Sequence, residues 1–173
     1  MSREYPERPV VGVGGVVIEN GRALLIRRGS EPLLGQWSIP GGTLELGESL
    51  EHGVVRELKE ETGLTVRIVE MIEVFDRIYE DQDDAAGGVV SPTPDIPGEK
   101  DAKKKGPRYH YVIIDYLCER VVGEGGEARA GSDVTDVAYA TEDELVRFGL
   151  TETATRILRK AFAMERARRT QKQ

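Results

Sequence analysis

The chain has 173 residues, 39% hydrophobic and 32% charged, with a net charge of -7. That size and mixture describe one ordinary domain able to bury a real core, and the acidic balance excludes nucleic-acid binding through a broad basic surface. One cysteine excludes an internal disulfide, the polar start MSREYPERP carries no apolar signal segment, and no apolar run nears the ~20 residues that span a membrane, so a cytoplasmic protein is expected.

Residues 10–18, rich in valine and glycine, are predicted as a buried strand with close backbone neighbours. Asn20-Gly21 is a two-residue hairpin signal, and 23–26 is the returning strand. Residues 30–35, with Pro32, read as a loop. Residues 37–39 lead into Pro40-Gly41-Gly42, a predicted turn where backbone approaches a ligand closely. Ser49 is placed to cap a central helix and Gly63 to end it in the left-handed conformation. Leu50, Val54, Val55 and Leu58 form its expected buried stripe, with the glutamates on another face. Gly53 in mid-helix costs propensity and points to close packing against a neighbour.

Two long strands are expected over 66–79 and 109–118, with Cys118 a small buried hydrophobe. Between them, 81–107 gathers acidic residues, glycines, prolines and Lys103-Lys104-Lys105. A structureless loop of roughly 25 residues in a compact domain is a functional lid or a disordered segment, and both readings stand. Residues 136–140 read as a short strand and 142–148 as a short helix. The last helix begins near Thr151 or Thr153, with Ile157, Leu158, Ala161 and Phe162 on one side. Its basic end (Arg166, Arg168, Arg169) reads as a solvated polar tail over 166–173. No repeat or domain boundary interrupts 1–173, and strands interleaved with two helices make a mixed α/β sandwich.

The chemistry is concentrated in 42–64, GTLELGESLEHGVVRELKEETGL. Glu57, Glu60 and Glu61 stand at i, i+3 and i+4, on one helix face. Crowded like charges call for a cation among them, and Mg²⁺ is the natural hard one. Arg56 is placed to orient the carboxylates by hydrogen bonds, while the Gly41 and Gly42 backbone can reach a metal or a phosphate. Such a cation activates water, sets it in line with phosphorus and neutralises the leaving phosphate. With only His52 and His110 in the chain, a histidine-centred mechanism has little material. Taken alone, an REL-x-EE string reads as a solvated helix face; the full pattern reverses that.

The order Gly, five residues, Glu, seven residues, Arg-Glu-Leu, one residue, Glu-Glu, one residue, Gly-Leu resembles the signature of the Nudix hydrolase superfamily. It falls on Gly42, Glu48, Arg56, Glu57, Leu58, Glu60, Glu61, Gly63 and Leu64. Arg27-Arg28, GQWSIPGG over 35–42 and the closing DVAYATEDEL look like the flanks of these enzymes, so the likeness covers about 10–145, with 81–107 standing apart. It implies a Nudix-type α/β/α sandwich with a mixed sheet, and Mg²⁺- or Mn²⁺-dependent hydrolysis of a nucleoside diphosphate linked to another group. It implies Glu57, Glu60 and Glu61 as metal ligands, the Gly41 carbonyl sometimes joining them, and Arg56 orienting them.

A later acidic residue completes such a site or acts as base. Asp133, six residues before Tyr139, is the choice and Asp136 the reserve, with a structural cap as the alternative for either. Arg27 and Arg28 end a strand and point to opposite faces, so one is expected to meet phosphate and the other solvent. Gly42 joins the expected substrate contacts. Trp37 either stacks on a base or belongs to the core. The pattern looks most like the ADP-ribose pyrophosphatase branch, which puts ADP-ribose or a related nucleotide sugar first. Dinucleoside polyphosphates, (d)NTPs and a non-catalytic nucleotide-sensing module are the alternatives. Where some ADP-ribose enzymes carry a proline, this chain has Tyr79, an aromatic associated with dinucleoside polyphosphate hydrolases or else a core residue. A small nucleotide is the expected partner, without nucleic acid or membrane, and relatives of the branch are often homodimers.

Overall fold

The computed structural model describes residues 4–31, 33–80, 106–124 and 126–171. The lid and disorder readings of the long loop therefore lie, over 81–105, outside the described residues. The elements run β1 (Val10–Glu19), β2 (Arg22–Arg28), β3 (Trp37–Ser38), β4 (Gly41–Thr43), α1 (Leu50–Thr62), β5 (Val66–Tyr79), β6 (Tyr109–Arg120), β7 (Val134–Ala140), a 3₁₀ segment (Asp143–Phe148) and α2 (Glu152–Gln171). No helix among the described residues is long and apolar enough to cross a membrane.

β1 organises the mixed sheet. It runs parallel to β6 over residues 10–17, and β5 lies antiparallel outside β6. On its other side β1 pairs first with β4 and then, at Ile18 and Glu19, with β2. Strand β2 carries β3 and β7. The β1–β2 hairpin closes through Asn20 and Gly21, both at positive φ, as the predicted two-residue turn requires.

Pleating divides β1 between two cores. Val13 and Val17 join Val54, Leu58 and Leu64 beneath α1. Val16 joins Leu25, Leu117, Ile157, Leu158 and Phe162 beneath α2. The helices thus cover opposite faces, giving the expected α/β/α sandwich. Close approach of α1 explains two small residues. A Cβ on Gly15 would stand 2.9 Å from Leu58 and Val54, and one on Gly53 2.9 Å from Leu44. Ser49 Oγ accepts the His52 amide and Gly63 ends α1 at φ 73°, both as expected.

Five expectations need correction. The Pro40-Gly41-Gly42 turn continues as β4, because β1 offers a paired edge at Gly12–Gly14. The 142–148 helix is a six-residue 3₁₀ segment over Asp143–Phe148. β7 begins at Val134, two residues earlier, held against β2. The basic end of α2 is not wholly solvated, since Arg168 pairs with Glu119 and Glu165. Finally, the glutamates are not all set apart from the buried stripe: Glu61 is only 7% exposed. Positions 54, 58 and 61 stand at i, i+4 and i+7, so Glu61 extends the buried stripe.

Candidate active site

Arg56, on the second turn of α1, is the hub of the acidic cluster. Its Nε and Nη2 donate to the two Glu48 carboxylate oxygens at 2.9 Å each, a bidentate pair. Nη1 donates to Glu57 at 2.8 Å and to Glu60 at 3.4 Å, and Nη2 also reaches the Thr43 carbonyl at 3.1 Å. Arg56 therefore ties α1 to the loop before it and sets the rotamers of three acids. The Arg56 hydrogen bonds, with the Glu45 amide, hold the Glu48 carboxyl down at about 2, and Glu48 in turn pushes Arg56 further up.

Glu61 is positioned differently. Its Oε2 accepts the Gly41 amide at 2.8 Å. Burial raises its carboxyl to about 7; the Gly41 hydrogen bond and Arg28 pull it down, while Glu57 and Asp133 push it up. Gly41 sits at φ 155°, and a Cβ there would lie 2.2 Å from the Val13 carbonyl oxygen. Only glycine lets β4 lie this close to β1 while its amide meets Glu61. A Cβ on Gly42 would fall 2.3 Å from the Glu57 carboxyl carbon, so bare backbone makes room for that acid.

Part of this cluster lines one side of a cavity of about 180 Å³. Glu57, Glu61, Arg28, Asp133, Gly41 and Gly42 belong to that side. Strands β5 and β6 add Phe75, Arg77, Tyr79, Tyr111 and Asp115 to the lining. Tyr79 is 9% exposed, packs edge-on against Tyr109 and receives Arg77 Nη1 at 3.4 Å, so it is both buried aromatic and cavity wall.

Other expected site residues lie elsewhere. Glu60 is half exposed at the cluster's rim. Arg27 turns from the cavity and donates from Nε to the Gly35 carbonyl at 2.9 Å, whereas Arg28, past a β-bulge, lines it. Trp37 packs edge-on against Phe148 with centroids 5.2 Å apart, away from the cavity lining. Asp136 accepts the Val137 amide at 2.9 Å and also stays outside. Sequence reasoning passed over Arg77 and Asp115; a lone acid in the apolar run of β6 was the available signal.

Among the described residues, no three His, Cys, Asp or Glu side chains converge closely enough to hold a cation as they stand. Each box acid has a donor within the protein: Arg56 for Glu57 and Glu60, the Gly41 amide for Glu61. The donor set still fits a hard cation. It is all oxygen, two acids share one cavity wall, and the buried Glu61 is charged only at a cost that a positive partner offsets.

The family model for the NUDIX domain matches residues 8–161. An ADP-ribose pyrophosphatase of Methanocaldococcus jannaschii is 30% identical over 131 residues, 76% of this chain and 61% of that protein. A MutT-like protein of Streptomyces ambofaciens is 34% identical over 136 residues, 78% of this chain and 66% of that protein. The chain thus spans less than two thirds of the length of these two curated relatives. The crystal structure of a MutT NUDIX hydrolase from Burkholderia pseudomallei superposes with a TM-score of 0.64 at 28% identity, covering 89% of this chain and 98% of that one.

Proposed function

The chain belongs to the NUDIX domain family, and on that premise we propose that it is a metal-dependent pyrophosphohydrolase cleaving a nucleoside diphosphate linked to another group, with ADP-ribose or a related nucleotide sugar as first substrate. The observation that carries this reading is the Arg56 hub, which presets Glu48, Glu57 and Glu60 while Glu57 and Glu61 face a cavity with aromatic residues in its lining. Similarity to an ADP-ribose pyrophosphatase supports the substrate choice.

In the reaction, water adds to one phosphorus of the anhydride, the bridging P–O bond breaks, and two phosphomonoesters leave. Glu57 and Glu61 would hold Mg²⁺ or Mn²⁺, with Glu60 and the Gly41 carbonyl as further oxygens. Bound there, the ion supplies a Lewis acid for the anhydride and a water of lowered pKa. Arg56 keeps Glu57 and Glu60 oriented. Arg28 lines the same side and offsets phosphate charge. Asp133, on the same wall, takes the proton of the attacking water. Gly42 and Tyr79, both in the cavity lining, contact the substrate.

The test is a panel of ADP-ribose, sugar nucleotides, dinucleoside polyphosphates and nucleoside triphosphates incubated with Mg²⁺, with products identified by chromatography. ADP-ribose is expected to yield AMP and ribose 5-phosphate. Tight binding of one compound with no cleavage of any would instead identify a nucleotide-sensing module. The matching cellular role is that of a cytoplasmic enzyme, and light scattering tests the homodimer.

A further inference from the structure

Asp115 has no part in the chemistry above, and its surroundings are unusual. It is the one charged residue in the otherwise apolar β6 stretch 111–118 and is 4% exposed. Its carboxyl borders the cavity, yet it accepts no hydrogen bond from any described residue; burial, the Arg77 charge and the Glu73 charge account for its titration, which is pushed up to about 7. Arg77 is engaged elsewhere, donating to Thr151 Oγ1 at 2.7 Å and Tyr79 at 3.4 Å. Glu73 is held by Arg156 and Lys160 of α2. The fold also keeps a place for this carboxyl, because a Cβ on Gly14 would lie 2.1 Å from Asp115 Oδ1.

We propose that Asp115 is a specificity-determining residue of the cavity, accepting hydrogen bonds from N–H or O–H donors of the substrate's nucleoside, on its base edge or its ribose. The inference rests on reading the cavity as a nucleotide site. Asp115 pairs in register with Gly14, and Gly14 with Gly41, so its Cα stands two strand spacings, ~10 Å, from the Gly41 backbone, and its carboxyl lies over Gly14 between them. Phosphates at Arg28 and the box acids leave the nucleoside the β5–β6 side of the cavity, which Asp115 borders from β6. A carboxylate there repels phosphate and accepts from donors. Phe75, Tyr79 and Tyr111 supply flat apolar walls beside it.

The test is calorimetric binding of nucleoside monophosphates, which have no anhydride to cleave, to the full chain. GMP is compared with IMP (2-amino group), AMP with purine riboside monophosphate (6-amino group), and each ribonucleotide with its 2′-deoxy form. The wild type is expected to favour one donor-bearing ligand over its analogue by about tenfold or more. Asp115→Asn is expected to bring that ratio within about twofold while binding of the analogue holds. Gly14→Ala displaces the same carboxyl without changing its charge and should lower the ratio too, so the test survives if Asp115→Asn fails to fold. The pair that responds separates base from ribose. No discrimination by the wild type, an unchanged ratio in the variants, or a uniform loss across all ligands would overturn the proposal. Failure of the hydrolysis panel alone would leave these ratios intact, and would count against the catalytic reading only.

Discussion

Glu61 and Asp115 are buried carboxyls that line one cavity from different elements, and burial pushes both up to about 7. Their support differs. Glu61 comes from a helix, receives the Gly41 amide and stands one turn from Glu57. Asp115 comes from a strand, occupies space left by Gly14 and receives no hydrogen bond from a described residue. The box side is organised by the protein's own donors before any ligand arrives. The β5–β6 side presents an acceptor that a ligand can complete. Substitutions on the first side should therefore change turnover of every substrate alike, and substitutions on the second should change which substrate is taken.

The largest expected effect is at Glu57. Glu57→Gln keeps the helix but removes a charged oxygen from the cavity wall, so kcat should fall roughly 10²–10³-fold for every cleaved substrate. Steady-state rates across the panel check this; one substrate spared would break the comparison.

Next is a pH effect at Asp115. Its folded pKa of about 7 stands above the ordinary 3.8, so the folded chain keeps a proton that the unfolded chain releases in between. The associated stability is fully present below pH ~4 and lost as pH rises through about 7. Urea unfolding from pH 4 to 8 should show Asp115→Asn gaining on the wild type by on the order of 4 kcal/mol across that window, then levelling off. Glu61 shifts in the same direction but is present in both proteins, so it drops out of the difference. A flat difference would show that Asp115 is charged throughout.

Arg56→Ala leaves Glu48, Glu57 and Glu60 without their shared donor. Its kcat/KM should fall about 10- to 100-fold, uniformly over substrates, as expected for an orienting group. A change in substrate ranking would place Arg56 among the specificity residues instead. The smallest effect is at Trp37, which packs on Phe148 outside the cavity lining. Trp37→Phe should cost about 1 kcal/mol of stability and leave the ranking as it was. A changed ranking would revive its reading as a base-stacking residue.

Legibility in the sequence followed the distance between interacting residues. The α1 limits were readable because Ser49 and Gly63 act within a few residues of their partners. The Arg56 cluster was readable for the same reason, its acids lying one to eight positions away. Burial of Glu61 was encoded in its i+7 spacing from Val54, but the attraction of acids for solvent masked it. Gly41-Gly42 looked like a turn because its partner edge on β1 lies about thirty residues earlier in the chain. Alternation placed Arg27 and Arg28 on opposite faces; which one faces the cavity depends on the bulge between them. Asp115 gains its meaning only once β6 lies beside β1, opposite a glycine. No local spacing announces that juxtaposition.

The most direct measurement of the central claim follows hydrolysis of the best-cleaved panel member by the wild type with Mg²⁺, by the wild type in excess chelator, and by Glu57→Gln with Mg²⁺. Two phosphomonoester products are expected in the first reaction and near-complete loss of them in the other two, with the variant still folded by circular dichroism. Undiminished release in chelator, or wild-type turnover by Glu57→Gln, would contradict that claim.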